Sequence, residues 1–260
     1  MKAIPCTGSS GPASGKLGLM KKISKQFICV FFSFSMFFIW PVTGNGEQHA
    51  CFAISPYEQP GMTIEVCTQK LSSVALSDDQ RSRALSKRGI AYRQIDEFAR
   101  SVEDLEKSIA LSPDTSNMRM LAWTYREMDR FADAEELYTE VLKTDDHWQG
   151  WLSRCVVRQD MERFDRSLAD CKESLRQDPD NLDSLYFTAR AYNFLDQGEL
   201  AKPLTVRAME LAPDDPRYLV EHIWALHLTG QTSLALVKAR EGLEKYTNHE
   251  GLLFFLSESQ

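Results

Sequence analysis

Between residues 115 and 147 the apolar positions fall into two stripes. Met118, Leu121, Ala122 and Tyr125 stand at i, i+3, i+4 and i+7, one face of a helix. The segment 127–130 breaks the stripe, and Ala134, Leu137, Tyr138, Val141 and Leu142 begin a second one. The pattern predicts two antiparallel helices joined by a short turn. The same phrase recurs along the chain. Gly89, Ala122, Cys155 and Ala189, with Ile223 in the fifth place, follow one another at intervals of 33, 33, 34 and 34. A second column, Ser101, Ala134, Ser167, Ala201 and Ala235, keeps these intervals twelve residues behind the first. Small side chains suit places where two helices cross closely. A fixed period of this length predicts one helix pair, unable to bury its own apolar face, stacked five times into a solenoid.

Other columns share the period. Phe98, Phe131 and Phe164 open second helices, and Tyr92, Tyr125 and Tyr192 lie three residues after the small slot. Pro113, Pro179 and Pro213 close three of the units, where a fixed φ and a missing N–H stop a helix. Acids flank two of these prolines, as in Ser112-Pro113-Asp114 and Asp178-Pro179-Asp180, and suit caps and first turns. With Trp151-x-x-x-Cys155 and Leu185-x-x-x-Ala189-x-x-Tyr192 in first helices, the unit resembles the tetratricopeptide repeat. The resemblance covers residues 82–249 as units 82–114, 115–147, 148–181, 182–215 and 216–249. It implies an all-α, right-handed superhelical solenoid. Arg158 in place of the tyrosine, Ile223 in the small slot, and the missing last proline depart from the pattern.

Residues 1–44 read differently. Lys21, Lys22 and Lys25 precede an apolar run over 27–40, which Pro41 ends before Val42-Thr43-Gly44. This describes a secretory leader, and the run is short for a membrane span. Cleavage is expected, with an inner-membrane anchor over 27–42 as the alternative. Met20 would make the more ordinary start of such a leader. Cys51 is not expected to be lipidated, since Gln48-His49-Ala50 lacks the apolar residue of a lipobox. Gly15-Lys16 superficially suggests a phosphate loop, but Ser10 stands where its first glycine belongs and Leu17 where its hydroxyl does. All 37 acidic residues follow Gly44, as do 25 of the 30 basic ones (all but five), so the mature chain carries a formal −12. That balance argues against nucleic acid or anionic lipid as the main ligand. A membrane is expected to be touched only through an uncleaved leader.

Four cysteines follow the leader. The order of Cys51, a proline-containing turn, Ile64-x-x-Cys67-Thr68 and Leu76-Ser77-x-Asp79-x-Arg81-x-x-Ala84 is similar to exported tetratricopeptide proteins of alphaproteobacteria. That similarity implies a Cys51–Cys67 disulfide in a degenerate leading half-repeat over 45–81. Cys155 fills a slot that asks only for a small apolar group. It and Cys171 are expected as buried thiols, with a bridge between them geometrically open. No metal site is expected, since no histidine accompanies either pair at ligand spacing.

No Ser/His/Asp arrangement, Gly-rich phosphate loop or His-Glu-x-x-His pattern is present, so no catalytic residue and no cofactor are expected. His222 and His227 fall on different faces of a helix. Acidic clusters such as Asp133-Glu135-Glu136 and Asp214-Asp215 read as solvated faces or helix starts.

The resemblance implies that partners sit on the concave surface lined by first helices. Positions flanking the buried stripe supply Arg83, Arg93, Arg119, Trp123, Arg126, Tyr186, Arg190 and Trp224 as the candidate groove. Arginine forks and aromatics suit an extended peptide with acidic groups. Ser86 and Ile90 occupy the slots that would carry the family's lysine–asparagine clamp for a C-terminal carboxylate, so a chaperone-tail receptor is disfavoured. The closing run over 251–256 is apolar and is expected to tuck into the last helix pair, with contact to a partner or another copy as the alternative. The expectation is a non-enzymatic protein-binding scaffold or adaptor of the bacterial cell envelope, located in the periplasm. The alternative is a membrane-anchored structural protein that self-associates.

Overall fold

A computed structural model describes residues 47–72 and 75–258; the expected leader lies outside the described residues. Among the described residues there are thirteen helices and no strand. They form two compact units divided after Gln177.

The first unit holds α1 (Glu47–Ala53), α2 (Pro60–Leu71), α3 (Asp78–Gln94), α4 (Phe98–Leu111), α5 (Thr115–Glu127), α6 (Phe131–Val141), α7 (Trp148–Asp160) and α8 (Phe164–Gln177). From α3 onward polar side chains start the first helix of each pair. Ser77 and Gln80 form a reciprocal capping box on α3, and Asp114 accepts from the Asn117 N–H at the head of α5. The second unit holds α9 (Leu182–Phe194), α10 (Gly198–Leu211), α11 (Pro216–Leu228), α12 (Thr232–Lys245) and α13 (Glu250–Glu258). Here Asn181 caps α9 through the Ser184 N–H, and Asp215 caps α11 with Pro216 in its first turn.

From α3 onward the first helices within each unit end alike. Asp96, Asp129 and Glu162 in the first unit, and Asp196 and Gly230 in the second, have φ between 56° and 79°. The next residue donates its N–H back to a carbonyl five positions earlier: Glu97 to Tyr92, Arg130 to Tyr125 and Arg163 to Arg158, at 2.8–2.9 Å. Gln197 to Tyr192 and Gln231 to Leu226 repeat the geometry. This closure satisfies orphan carbonyls and reverses the chain in three residues.

Both small-residue columns are buried in their units. At Gly89 an added Cβ would lie 2.9 Å from Leu105 Cγ and 3.2 Å from the Ser101 carbonyl oxygen, so α3 and α4 touch there by backbone. The leading segment obeys the same rule. Cys51 on α1 and Thr63 on α2 are twelve residues apart and each is fully buried, like the columns that follow. The sulfurs of Cys51 and Cys67 form a disulfide with Cα atoms 4.8 Å apart. Cys155 and Cys171, expected as thiols, also stand as a disulfide pair, with Cα atoms 5.3 Å apart. The reason is geometric: slots sixteen residues apart on paired helices face each other, as Cys51 and Cys67 do.

In the second unit α13 covers the end of the last pair. Leu252 and Phe255 are fully buried in a cluster with Ile223, Leu226, Ala235 and Ala239. His222 is buried against Thr205, its Nδ1 2.9 Å from Oγ1, while His227 Nδ1 meets Thr232.

Candidate functional site

The first-helix face of the unit spanning 47–177 gathers Arg93 from α3 and Arg119, Trp123 and Arg126 from α5. Thr115–Glu127 places Arg119, Trp123 and Arg126 at i, i+4 and i+7, one side of a helix. Two of these arginines are already engaged. Arg119 pairs with Asp145, and Arg126 Nε lies 2.5 Å from Asp160. Asp145 lies past α6 at the end of the same repeat and Asp160 closes α7 of the next, so the second pair ties successive repeats together.

Arg93 behaves otherwise. Its residue is 8% exposed, and its guanidinium lies over the Trp123 ring, 4.1 Å from the centroid. Its Nε is sealed from solvent without a hydrogen-bond partner. Burial pulls its pKa down, and the charges of Tyr57, Glu127 and Tyr138 only offset this. Trp123 is 41% exposed, and its indole N–H donates to Glu127 at 3.0 Å. Below the face, burial pushes the Tyr138 hydroxyl up in pKa against the opposing pull of Ser153, Arg126, Arg93 and Arg119. All three arginines bear electrostatically on this one buried phenol.

Arg83 stands apart. Its side chain is exposed, lies over the Phe52 ring and approaches Asp79 at only 4.0 Å.

In the second unit the expected groove residues are mostly packed. Tyr186 is 7% exposed, edge-on to Tyr218 and Phe187. Its pKa is driven up by burial and then by Glu221. Arg190 is 6% exposed with its Nε unsatisfied, over the Phe194 ring at 5.5 Å. Neighbouring Asn193 donates to both the carbonyl and the carboxylate of Glu221 at 2.9 Å. Trp224 packs edge-on against Phe255 at 4.9 Å and also meets Phe254. Tyr186 and Trp224 thus depart from the expected open surface, because Tyr218 covers the first and α13 covers the second.

One contributor is invisible to the repeat spacing. Tyr57, in the turn between α1 and α2, is 55% exposed and its hydroxyl lies 3.7 Å from Met120 Sδ on α5. The period gives no hint of it, since the turn is peculiar to the leading pair. Among the described residues no group of three or more His, Cys, Asp or Glu could hold a metal ion, and no helix is long and apolar enough to cross a membrane.

Two family patterns described as tetratricopeptide repeat match the chain, over residues 82–115 and 118–144. No curated protein sequence matches it. Among solved structures, YrrB, described as "a TPR protein with an unusual peptide-binding site", aligns over 74% of this chain and 97% of its own, with a TM-score of 0.61 and 10% identity. A MamA crystal structure covers 64% of this chain and 91% of its own, with a TM-score of 0.58 and 14% identity. MamA from MSR-1 covers 65% and 93%, with a TM-score of 0.53 and 22% identity. At such identities the likeness is one of fold. With two repeats matched in sequence and the helix-pair architecture matched in structure, the chain carries tetratricopeptide repeats within a fold of that type.

Proposed function

We propose that this protein is a non-enzymatic interaction scaffold, exported to the bacterial cell envelope, that holds an extended segment of another protein carrying acidic groups. The first-helix face of residues 47–177 is the binding surface. The observation that carries this reading is the exposed Trp123 indole stacked with the buried Arg93 guanidinium. A rigid aromatic beside a fixed cation is the kind of anchor on which protein interfaces concentrate their energy. The peptide-binding site described for YrrB supports the same use of the fold. Two disulfide pairs suit an oxidising compartment and so support export. The self-associating alternative loses part of its surface, because Leu252 and Phe255 of the terminal apolar run are covered by their own unit.

The test is co-purification from envelope extracts with the mature protein and an Arg93→Glu/Trp123→Ala variant of matched helicity. A partner retained by the first and lost by the second is expected. Equal capture by both would remove the face from consideration.

A further inference from the structure

Arg93 is held in an arrangement that its own chain leaves unfinished. Arg119 and Arg126, on the same face, are answered by Asp145 and Asp160. Arg93 is as deeply placed as a core residue, and among the described residues its Nε has no acceptor. A desolvated guanidinium whose Nε lacks an acceptor is costly, and a carboxylate arriving from outside would reduce that cost. The stack on Trp123 fixes the plane of the group. A fixed planar fork of N–H donors fits a carboxylate in two parallel hydrogen bonds.

A rim stands beside it. Tyr57 reaches over α5 to Met120 and is close enough to bear on the charge of Arg93. The turn that carries Tyr57 is not loose. Cys51 and Cys67 bridge its flanking helices, and Lys87 Nζ donates to the carbonyls of Phe52 at 2.7 Å and Ile54 at 2.9 Å. The stapled leading pair therefore holds one wall of the place where Arg93 ends.

We propose that Arg93, stacked on Trp123 and rimmed by Tyr57, is a subsite for the side-chain carboxylate of an acidic residue in the bound segment, with the Cys51–Cys67 staple holding its wall. The subsite rests on the scaffold reading above. A side-chain acid is the fitting source because helices α3 and α5 flank the subsite and let an extended chain run across it.

The Arg93 Nε–Hε resonance reports directly on this contact, since a buried Nε–H is shielded from exchange with water. The oxidised full-length mature protein would be titrated with N-acetyl-glutamate amide. N-acetyl-glutamine amide is the neutral control, and N-acetyl-alanine offers a C-terminal carboxylate. The expected result is a saturable shift of the Arg93 signal with the glutamate probe, while the Arg119 and Arg126 signals stay in place. Tyr57→Ala, at an exposed position, should weaken the probe several-fold, and Arg93→Lys about tenfold. An Arg93 signal that moves only in step with Arg119 and Arg126 would overturn the subsite. Saturation by N-acetyl-alanine and not by the glutamate probe would overturn its assignment to a side-chain acid. If a partner still crosslinks to the first-helix face while the Arg93 signal is unmoved, the subsite falls and the scaffold reading stands.

Discussion

Arg154 grips Asp170 through two parallel hydrogen bonds of 2.8 Å, and the same carboxylate also accepts from Arg158 at 2.8 Å. Arg88 grips Asp104 in the same way two repeats earlier, at 2.7 and 2.8 Å. In both, the arginine also reaches a threonine of the preceding second helix, Thr139 for Arg154 and Thr68 for Arg88. Each pair spans sixteen residues, bolting the two helices of a repeat together and then to the repeat before. The side chain of Asp170 is only 3% exposed.

Removing one partner of a buried pair strands the others. Asp170→Asn leaves Arg154 and Arg158 without their shared acid and should cost about 3 kcal/mol in urea unfolding. Glu103→Gln, which breaks the exposed pair with Lys107, should leave the midpoint unmoved.

The turn residues make a prediction of opposite sign. Glu162 occupies the left-handed region at φ 58°, where Gly230 stands in the last repeat. Glu162→Gly relieves the side-chain clash there and should raise stability by up to about 1 kcal/mol, read by thermal unfolding.

The solenoid is legible in the sequence because its cause is periodic: small residues must recur wherever helices cross. The leading pair hides from that period. Cys51 and Thr63 keep the twelve-residue spacing, but 38 residues separate Cys51 from Gly89, so the regular interval passes over them. The left-handed turns are hidden for a different reason, since four of the five use Asp or Glu where glycine would announce them. The site is half legible. Spacing places Arg93, Trp123, Arg119 and Arg126 on one face. It does not foretell that Asp145 and Asp160, 26 and 34 residues downstream of their arginines, neutralise two of them. Asp145 lies past the end of α6 and Asp160 at the end of α7, outside both small-residue columns, so the periodic pattern does not encode the pairs.

The Cys51–Cys67 bridge closes a loop of sixteen residues. In the chain-entropy account this contributes about 3 kcal/mol, concentrated in the leading pair that the bridge joins. Cys51→Ser/Cys67→Ser should therefore lower the unfolding midpoint and raise hydrogen exchange first in α1 and α2. Unchanged exchange in those helices would contradict it.

His222 gives the second unit a pH dependence. Burial, then the charges of Lys238 and Lys202, holds its pKa below the usual 6.5, and burial shifts His249 the same way. The unfolded chain thus binds these protons more readily than the folded one. Stability is full at neutral pH and declines as pH falls through about 6.5 toward the folded values. His222→Gln should flatten this decline in urea unfolding followed at several pH values. An identical slope in the variant would exclude His222 as a source.

The binding role of the first-helix face is tested most directly by site-specific photocrosslinking in cells, with the reactive residue placed at Ser116 or Trp123 on that face and at Glu136 or Glu106 on second helices. The scaffold reading predicts one discrete adduct from the first pair, absent from the second and lost when Arg93→Glu is added. Adducts of equal yield from both faces, or from the second helices alone, would contradict it.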